Sequence, residues 1–464
     1  MFPLISPSCR HPRSARLPLA LGLTAIVVSL LLPGCANLPS ADTPPAEVEY
    51  SAPLTSGSWW TRFNDPDLTQ LVNQALAANT SIRTAQAALQ QSRALRDVNV
   101  ASTGPSVSLS GSAQRAQTEF TDASNSFKAG LDARWEMDVF GANRSSNLAS
   151  ESDVQTAAAN LRDVQVSVAA EVALAYIQLR GVQAQLGVAQ ANLASQQETL
   201  QITQWRAQAG LVTSLEVEQA QTSVAQTAAQ IPALQTTLAK ARHGLAVLTG
   251  QRPLDLDSLL SPVKPLPQTT LALTEQIPAD TLRQRADVRA AEHRISAALA
   301  RVDAADARRY PSFSLGGSLS LSALTLAGLS NGATLASSLL GSLSVPLFDG
   351  GAIKSQVLAQ EASLEQARAA YQNTVLTALK EVEDALVSLK NNLARLNLQQ
   401  LAASSARNAN LLAQNRYASG LIDFQTVLQT QRTLLSAQDS ATSLQADIGA
   451  DQVRLIKALG GGWK

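Results

Sequence analysis

Histidine, cysteine and clustered carboxylates are the side chains that most often carry chemistry, and this sequence uses the first two sparingly. It holds His11, His243 and His293, and two cysteines, Cys9 and Cys35. His243 follows Arg242 and His293 precedes Arg294, and neither has a second histidine at the spacing a zinc site needs. No Gly-x-Ser-x-Gly nucleophile turn, Walker loop or dinucleotide fingerprint occurs. The expectation is no catalytic residue, no metal site, and two histidines on solvated helix faces. A formal charge of zero offers no basic field for nucleic acid. What remains is one thiol in an informative context and one run of alternating charges.

The thiol is Cys35. Arg10, Arg13 and Arg16 precede an apolar run from Leu17 to Leu32, which ends in Leu32-Pro33-Gly34-Cys35. The run is short for a transmembrane helix and has a small residue beside its cysteine, so residues 1–34 read as a cleavable signal. It resembles the bacterial lipoprotein signal; an ordinary secretory signal is the alternative. The resemblance implies that Cys35 becomes the first residue and carries diacylglycerol and palmitate, the one covalent group expected, with no other cofactor. Because Ala36 and not an aspartate follows, it also implies forwarding to the outer membrane. Cleavage removes three arginines, no acid and Cys9, so a chain with 36 acids and 36 bases becomes three charges negative. No intrachain disulfide can then form. An acyl anchor holds a protein to a leaflet but does not span it.

The alternating run is FKAGLDARWEMDVFG, residues 127–141. A period of two places Phe127, Ala129, Leu131, Ala133, Trp135, Met137 and Val139 on one strand face and Lys128, Asp132, Arg134 and Glu136 on the other. Similar alternation recurs, with Phe313, Leu315, Leu319 and Leu321 set against serines, and Leu339, Leu343, Val345 and Leu347 against Ser338, Ser342 and Ser344. Four segments are expected, about 105–119, 125–139, 311–322 and 333–347, long enough for a tilted crossing of a hydrocarbon layer of roughly 25 Å. Trp135, Phe140, Tyr310, Phe313 and Phe348 sit near strand ends, where an aromatic girdle belongs. The apolar face would meet lipid, and Lys128, Asp132, Arg134 and Glu136 would line a wet lumen. Cross-strand charge pairing is a plainer account of those four residues. An open sheet edge is untenable in lipid and four strands cannot close, so several chains must share one barrel. A secreted β-sandwich shows the same alternation but does not explain what flanks the strands.

The flanking elements come from a unit written twice. Trp205-Arg206-Ala207-Gln208-Ala209-Gly210-Leu211-Val212 falls on Asn415-Arg416-Tyr417-Ala418-Ser419-Gly420-Leu421-Ile422 at an offset of 210, and Gly104-Pro105-Ser106 falls on Tyr310-Pro311-Ser312 at an offset of 206. Each half predicts a helix (66–101, 277–309), a strand pair, then a very long helical stretch broken only at Gly210 or Gly420. Residues 142–208 and 352–418 contain no proline, enough for rods of about 100 Å. Ala, Leu, Val and Gln recur at three- and four-residue spacings along them, as coiled-coil packing requires. Gly181, Gly187 and Gly244 suggest close backbone approach or bending, and Pro232 a kink. The domain plan is a signal (1–34), a lipidated segment (35–65), a first repeat (66–250), a linker (251–276) and a second repeat (277–464). The fold class is mainly α, with four strands per chain.

The lipobox, Trp59-Trp60 with Phe63, Asp65 and Leu68, Arg134-Trp135-Glu136-Met137-Asp138-Val139-Phe140-Gly141, Ser344-Val345-Pro346-Leu347-Phe348-Asp349-Gly350-Gly351 and Arg416-Tyr417-x-x-Gly420 together carry a resemblance. The chain resembles outer membrane factors of the TolC superfamily, in the lipoprotein branch that includes OprM, CusC and NodT-type channels. This implies a homotrimer with a shared 12-stranded barrel and a helical tunnel. The implied partners are a periplasmic membrane-fusion adaptor, an inner membrane pump of the RND type and outer membrane lipid. It assigns Gly210, Leu211, Thr213, Gly420, Leu421 and Asp423 to the periplasmic tip and adaptor contact; the glycines would also cap helices. Residues 398–415 hold no acid, unlike the aspartate ring common in the family, so Asp423 or an apolar ring of Leu411 and Leu412 would narrow the tip. The implied function is an efflux channel for small molecules. A type I protein secretion conduit and a non-conducting trimeric tether or adhesin are the alternatives. The substrate is not written in these residues.

Overall fold

The computed structural model describes residues 58–118, 121–269 and 283–461. The signal, Cys35 and the expected helix start at 277–282 lie outside the described residues. A 3-10 turn, Trp59–Phe63, leads into α1 (Pro66–Ala78) and α2 (Thr80–Ser102), then β1 (Ser106–Thr118) and β2 (Thr121–Met137). Next come α3 (Ala142–Gln208), α4 (Ser214–Leu248) and a single turn α5 (Asp257–Leu260). The second half repeats the plan with α6 (Ala286–Ala307), β3 (Ser312–Ala323), β4 (Thr334–Ser344), α7 (Ala352–Ala418) and α8 (Phe424–Ala458).

The proline-free runs are the two rods. Helices α3 and α7 are 67 residues each and begin and end 210 residues apart, as α4 and α8 also do. Each rod starts behind a glycine at positive φ, Gly141 or Gly351, and behind a carboxylate that takes its first amides. Asp138 accepts from the amides of Asn143 and Arg144, and Asp349 from those of Gly351 and Ile353. Pro232 lies inside α4, which continues through it.

Several boundaries differ from expectation, among them the second-half helix, which begins only at Ala286 because Arg285 is extended (ψ 137°). The helix expected over 66–101 is two helices, because Asn79 leaves helical conformation (ψ 134°) and uses its side chain to cap α2. Strand β2 begins at Thr121, earlier than expected, and β4 ends at Ser344, before Pro346 removes an amide. Between them, the four strands form one antiparallel sheet in the order β1-β2-β3-β4.

The upper half of α3 packs between α2 and α6, and its lower half against α4 and α8; α7 packs on α6 and α8. The main core lies at mid-height, where Trp59, Trp60, Phe63 and the buried face of α1 meet α3, α4 and α5. Gly181 marks the tight α3–α8 crossing, since a Cβ there would lie 2.8 Å from that of Ala446. Gly187 and Gly244 face open space, so close approach is not their role.

Candidate functional site

The sheet register decides which side chains share a face. Val107 pairs with Ala133, Leu109 with Leu131, and Ala113 with Phe127; Leu131 pairs on with Leu319, Trp135 with Leu315, and Met137 with Phe313. Phe313 in turn faces Leu343, and Leu321 faces Leu335. Odd residues therefore meet odd residues across all four strands, giving one largely apolar face. Ser337 and, towards the hairpin end, the pair Arg115 and Asn125 are the polar exceptions on it.

The even face is rich in hydroxyls, with Leu340 a large apolar exception on it. Ser108, Asp132, Ser318 and Ser338 form one row, and Ser112, Lys128, Ser322 and Thr334 another. Ser314 and Ser342 hydroxyls lie 2.6 Å apart, and those of Ser318 and Ser338 2.8 Å apart. Lys128, Asp132, Arg134 and Glu136 all stand on β2, and their directly paired neighbours on β1 and β3 are serines or glycine. Cross-strand charge pairing is thus not what these residues do. Asp132 accepts from the Ser110 hydroxyl at 3.0 Å. At the strand ends Phe140 stacks on Tyr310 at 5.0 Å and near Phe313 at 6.4 Å, and the Trp135 indole donates to the Thr103 carbonyl. The outer edges, β1 and β4, pair with no strand on their far sides among the described residues.

At the opposite end, both turns are Schellman motifs. Gly210 and Gly420 each sit at φ 73°, the left-handed region that glycine enters without a Cβ penalty. The amides of Leu211 and Gly210 close on the carbonyls of Arg206 and Ala207, and those of Leu421 and Gly420 on Arg416 and Tyr417. Leu211 and Leu421 are left 68% and 74% exposed. Asp423 caps α8, its Oδ1 accepting from the amide and hydroxyl of Thr426, and those two bonds hold its carboxyl below the usual carboxylate range. Thr213, at the equivalent place, makes no side-chain cap bond.

A wall segment with one apolar and one hydroxylated face, carried on rods, has known counterparts. The family model described as outer membrane efflux protein matches residues 71–251 and 277–461. The chain belongs to the outer membrane efflux protein family. It is 30% identical to nodulation protein T of Rhizobium leguminosarum bv. viciae, over 95% of this chain and 93% of that one. It is 32% identical to the solvent efflux pump outer membrane protein SrpC of Pseudomonas putida, over 94% and 97%. Among solved structures, the outer-membrane channel OprN matches at 37% identity and TM-score 0.82, over 87% of this chain and 92% of that one. VceC of Vibrio cholerae matches at 28% and 0.80, over 88% and 99%.

Within this efflux protein several polar residues do positional work that sequence patterns did not single out. Asn79 donates from Nδ2 to the Leu248 carbonyl, 2.8 Å away, so it joins the end of α4 to the start of α2. The matching joint in the second half is Arg285 Nη1 on the Ala458 carbonyl, also 2.8 Å. The offsets of 206 and 210 map one joint onto the other, which is the signal that could have found it. Arg285 also pairs with Asp287 at 2.7 Å and Glu381 at 2.8 Å. Burial alone would raise the Asp287 carboxyl, but the Arg285 hydrogen bond and charge outweigh it and hold it low. Nearby Asp163 on α3 is pushed up, first by burial and then by the charge of Asp287.

Arg180, fully buried on α3, ties three segments together. It donates to Asp67 at 3.0 Å, to Gln183 at 2.7 Å and to the Pro262 carbonyl at 2.7 Å, and lies over the Tyr176 ring. Lys264 reaches the same Asp67 oxygen. At the tip, Arg206 donates to the Tyr417 carbonyl, at the end of α7, and its guanidinium sits 4.5 Å from the Tyr417 ring. His243 and His293 lie on α4 and α6. No cluster of three metal-ligating side chains occurs among the described residues.

Proposed function

We propose that this chain is the outer membrane channel of a tripartite efflux system. Three copies share a 12-stranded barrel, whose apolar odd face meets lipid and whose hydroxylated even face meets water, and their rods continue it as a tunnel into the periplasm. A periplasmic membrane-fusion adaptor docks at the turns around Gly210 and Gly420, and an inner membrane pump supplies the energy. The acylated Cys35 anchors each chain to the outer membrane. The chain itself does no bond-making chemistry.

The observation that carries this proposal is the four-strand sheet with one largely apolar face and two open edges. In lipid those edges must be paired, and further copies of the same chain offer the matching strands. The solvent efflux role named for SrpC supports small molecules as the cargo class. Purified, detergent-extracted protein reconstituted in a planar bilayer is expected to give discrete conductance steps. A tether or adhesin would leave the bilayer silent, and that result would overturn the proposal.

A further inference from the structure

The two hairpins of the sheet differ at the end far from the rods. The first pairs Arg115 with Asn125 on its odd face, and Glu119 and Asp122 lie beside its turn in sequence. The second contains no charged residue from Tyr310 to Phe348. Its connection, residues 324–333, reads LTLAGLSNGA, with Leu324 73% and Leu326 69% exposed. Moved by the 206-residue offset, Glu119 and Asp122 become Thr325 and Gly328, so the two copies of the hairpin have diverged from acidic to apolar at the same place.

The packing of that connection decides on which side of the sheet it lies. Its 3-10 turn, Ala327–Leu329, folds back on β2 and β3. A Cβ on Gly328 would stand 3.0 Å from that of Ala323, and Ala323 pairs with Phe127 on the odd face. The turn is therefore a continuation of the apolar face, away from the serines. Its backbone is also spent internally: the amides of Gly328, Leu329 and Ser330 donate to the carbonyls of Thr325, Leu326 and Ala327, and the Ser330 hydroxyl donates to the Ala327 carbonyl at 3.0 Å. Uncharged, with these amides satisfied and two leucines turned outward, the segment suits the boundary between headgroups and acyl chains. Its height agrees. From the Met137–Phe313 pair to the Phe127–Ala323 pair, strands tilted by about 40° rise roughly 25 Å, the height of an outward apolar band.

We infer that residues 324–329 form a wedge inserted into the outer leaflet, with Leu324 and Leu326 among its acyl chains, while the end of the first hairpin stays in water. The partner is the lipid surface, and the wedge fixes the depth of the second hairpin in it. This inference rests on the lipid-facing odd face proposed above and adds a contact beyond the strands. The competing occupant is the same loop of another copy, the leucines meeting over the mouth of the lumen. That arrangement needs the turn on the even side, whereas Gly328 lies against Ala323 on the odd side.

The test uses the full-length, detergent-extracted protein with one added thiol: Leu326→Cys in the wedge, Leu324→Cys as a second position in it, Asp122→Cys at the first hairpin, and Leu319→Cys in the middle of the odd face. Each is labelled with an environment-sensitive fluorophore and reconstituted in phosphatidylcholine vesicles whose acyl chains are brominated or plain; the unsubstituted protein, treated alike, gives the background from Cys35. Labels at 319, 324 and 326 should lose fluorescence by about twofold or more in the brominated lipid and be shielded from aqueous iodide, and the label at 122 should do the reverse. Iodide reaching 324 and 326 as readily as 122, or self-quenching at 326 that dilution with unlabelled chains relieves, would overturn the wedge while 319 remains quenched by lipid. If 319 itself escapes the brominated chains, the lipid-facing sheet and the conduit built on it fall instead.

Discussion

Arg180 illustrates how a single charge is made safe inside a helix bundle. Its guanidinium fork is matched by a carboxylate, an amide oxygen and a backbone carbonyl, each from a different stretch of chain. Arg180→Met removes that match and leaves Asp67 buried with only Lys264. A loss of about 3 kcal/mol is expected, near the low end for a broken buried pair, and thermal unfolding followed by circular dichroism would measure it. Arg180→Lys should not restore stability, because one ammonium cannot span three acceptors set for a planar fork. Asp163 gives a second prediction, with a sign fixed by its direction of shift. Burial and Asp287 raise its folded pKa above the unfolded value, so its contribution is fully present below the ordinary aspartate range and is lost as pH rises through the raised value. Asp163→Asn should therefore flatten the fall in unfolding midpoint between mildly acidic and neutral pH, and stabilise the protein at neutral pH. Neither residue was legible beforehand. Both sit in helical stretches where a lone charge reads as a solvated face, and only the fold brings their partners near.

At the scale of elements much more was readable. Absence of proline marked both rods to their observed ends, and parity marked the strand faces, because both follow from local geometry alone. The break at Asn79 was not read, although Asn-Thr-Ser is a helix-capping pattern, since apolar periodicity continues across it. Two tests belong here. Leu319→Arg, on the apolar face, should cost about 2–4 kcal/mol and block membrane insertion, whereas Ser318→Arg on the other face should insert normally and alter conductance. If both variants behave alike in a heat-modified gel shift and bilayer recording, the face assignment is wrong. At the tip, Leu421→Asp replaces a side chain that packs on little, so assembly should persist while efflux in a channel-deleted strain is lost. Gly420→Ala forces a Cβ into left-handed backbone and should destabilise that turn by about 1–2 kcal/mol.

For the whole molecule, the need for partners was legible because four strands cannot wrap around on themselves. The number of copies was not, as nothing in one chain counts the others; three came from resemblance. A Cys35→Ser variant tests the consequence. Freed of its acyl chains, it should still require detergent, and sedimentation in detergent-free buffer should find aggregate instead of a soluble monomer. The paired joints at Asn79–Leu248 and Arg285–Ala458 bear on how such an assembly behaves under load. At mid-height only α3 and α7 run through without interruption, while the adjacent columns are spliced end to end by one side chain each. A rotation imposed at the periplasmic end is therefore carried past these joints towards the membrane by two unbroken helices per chain.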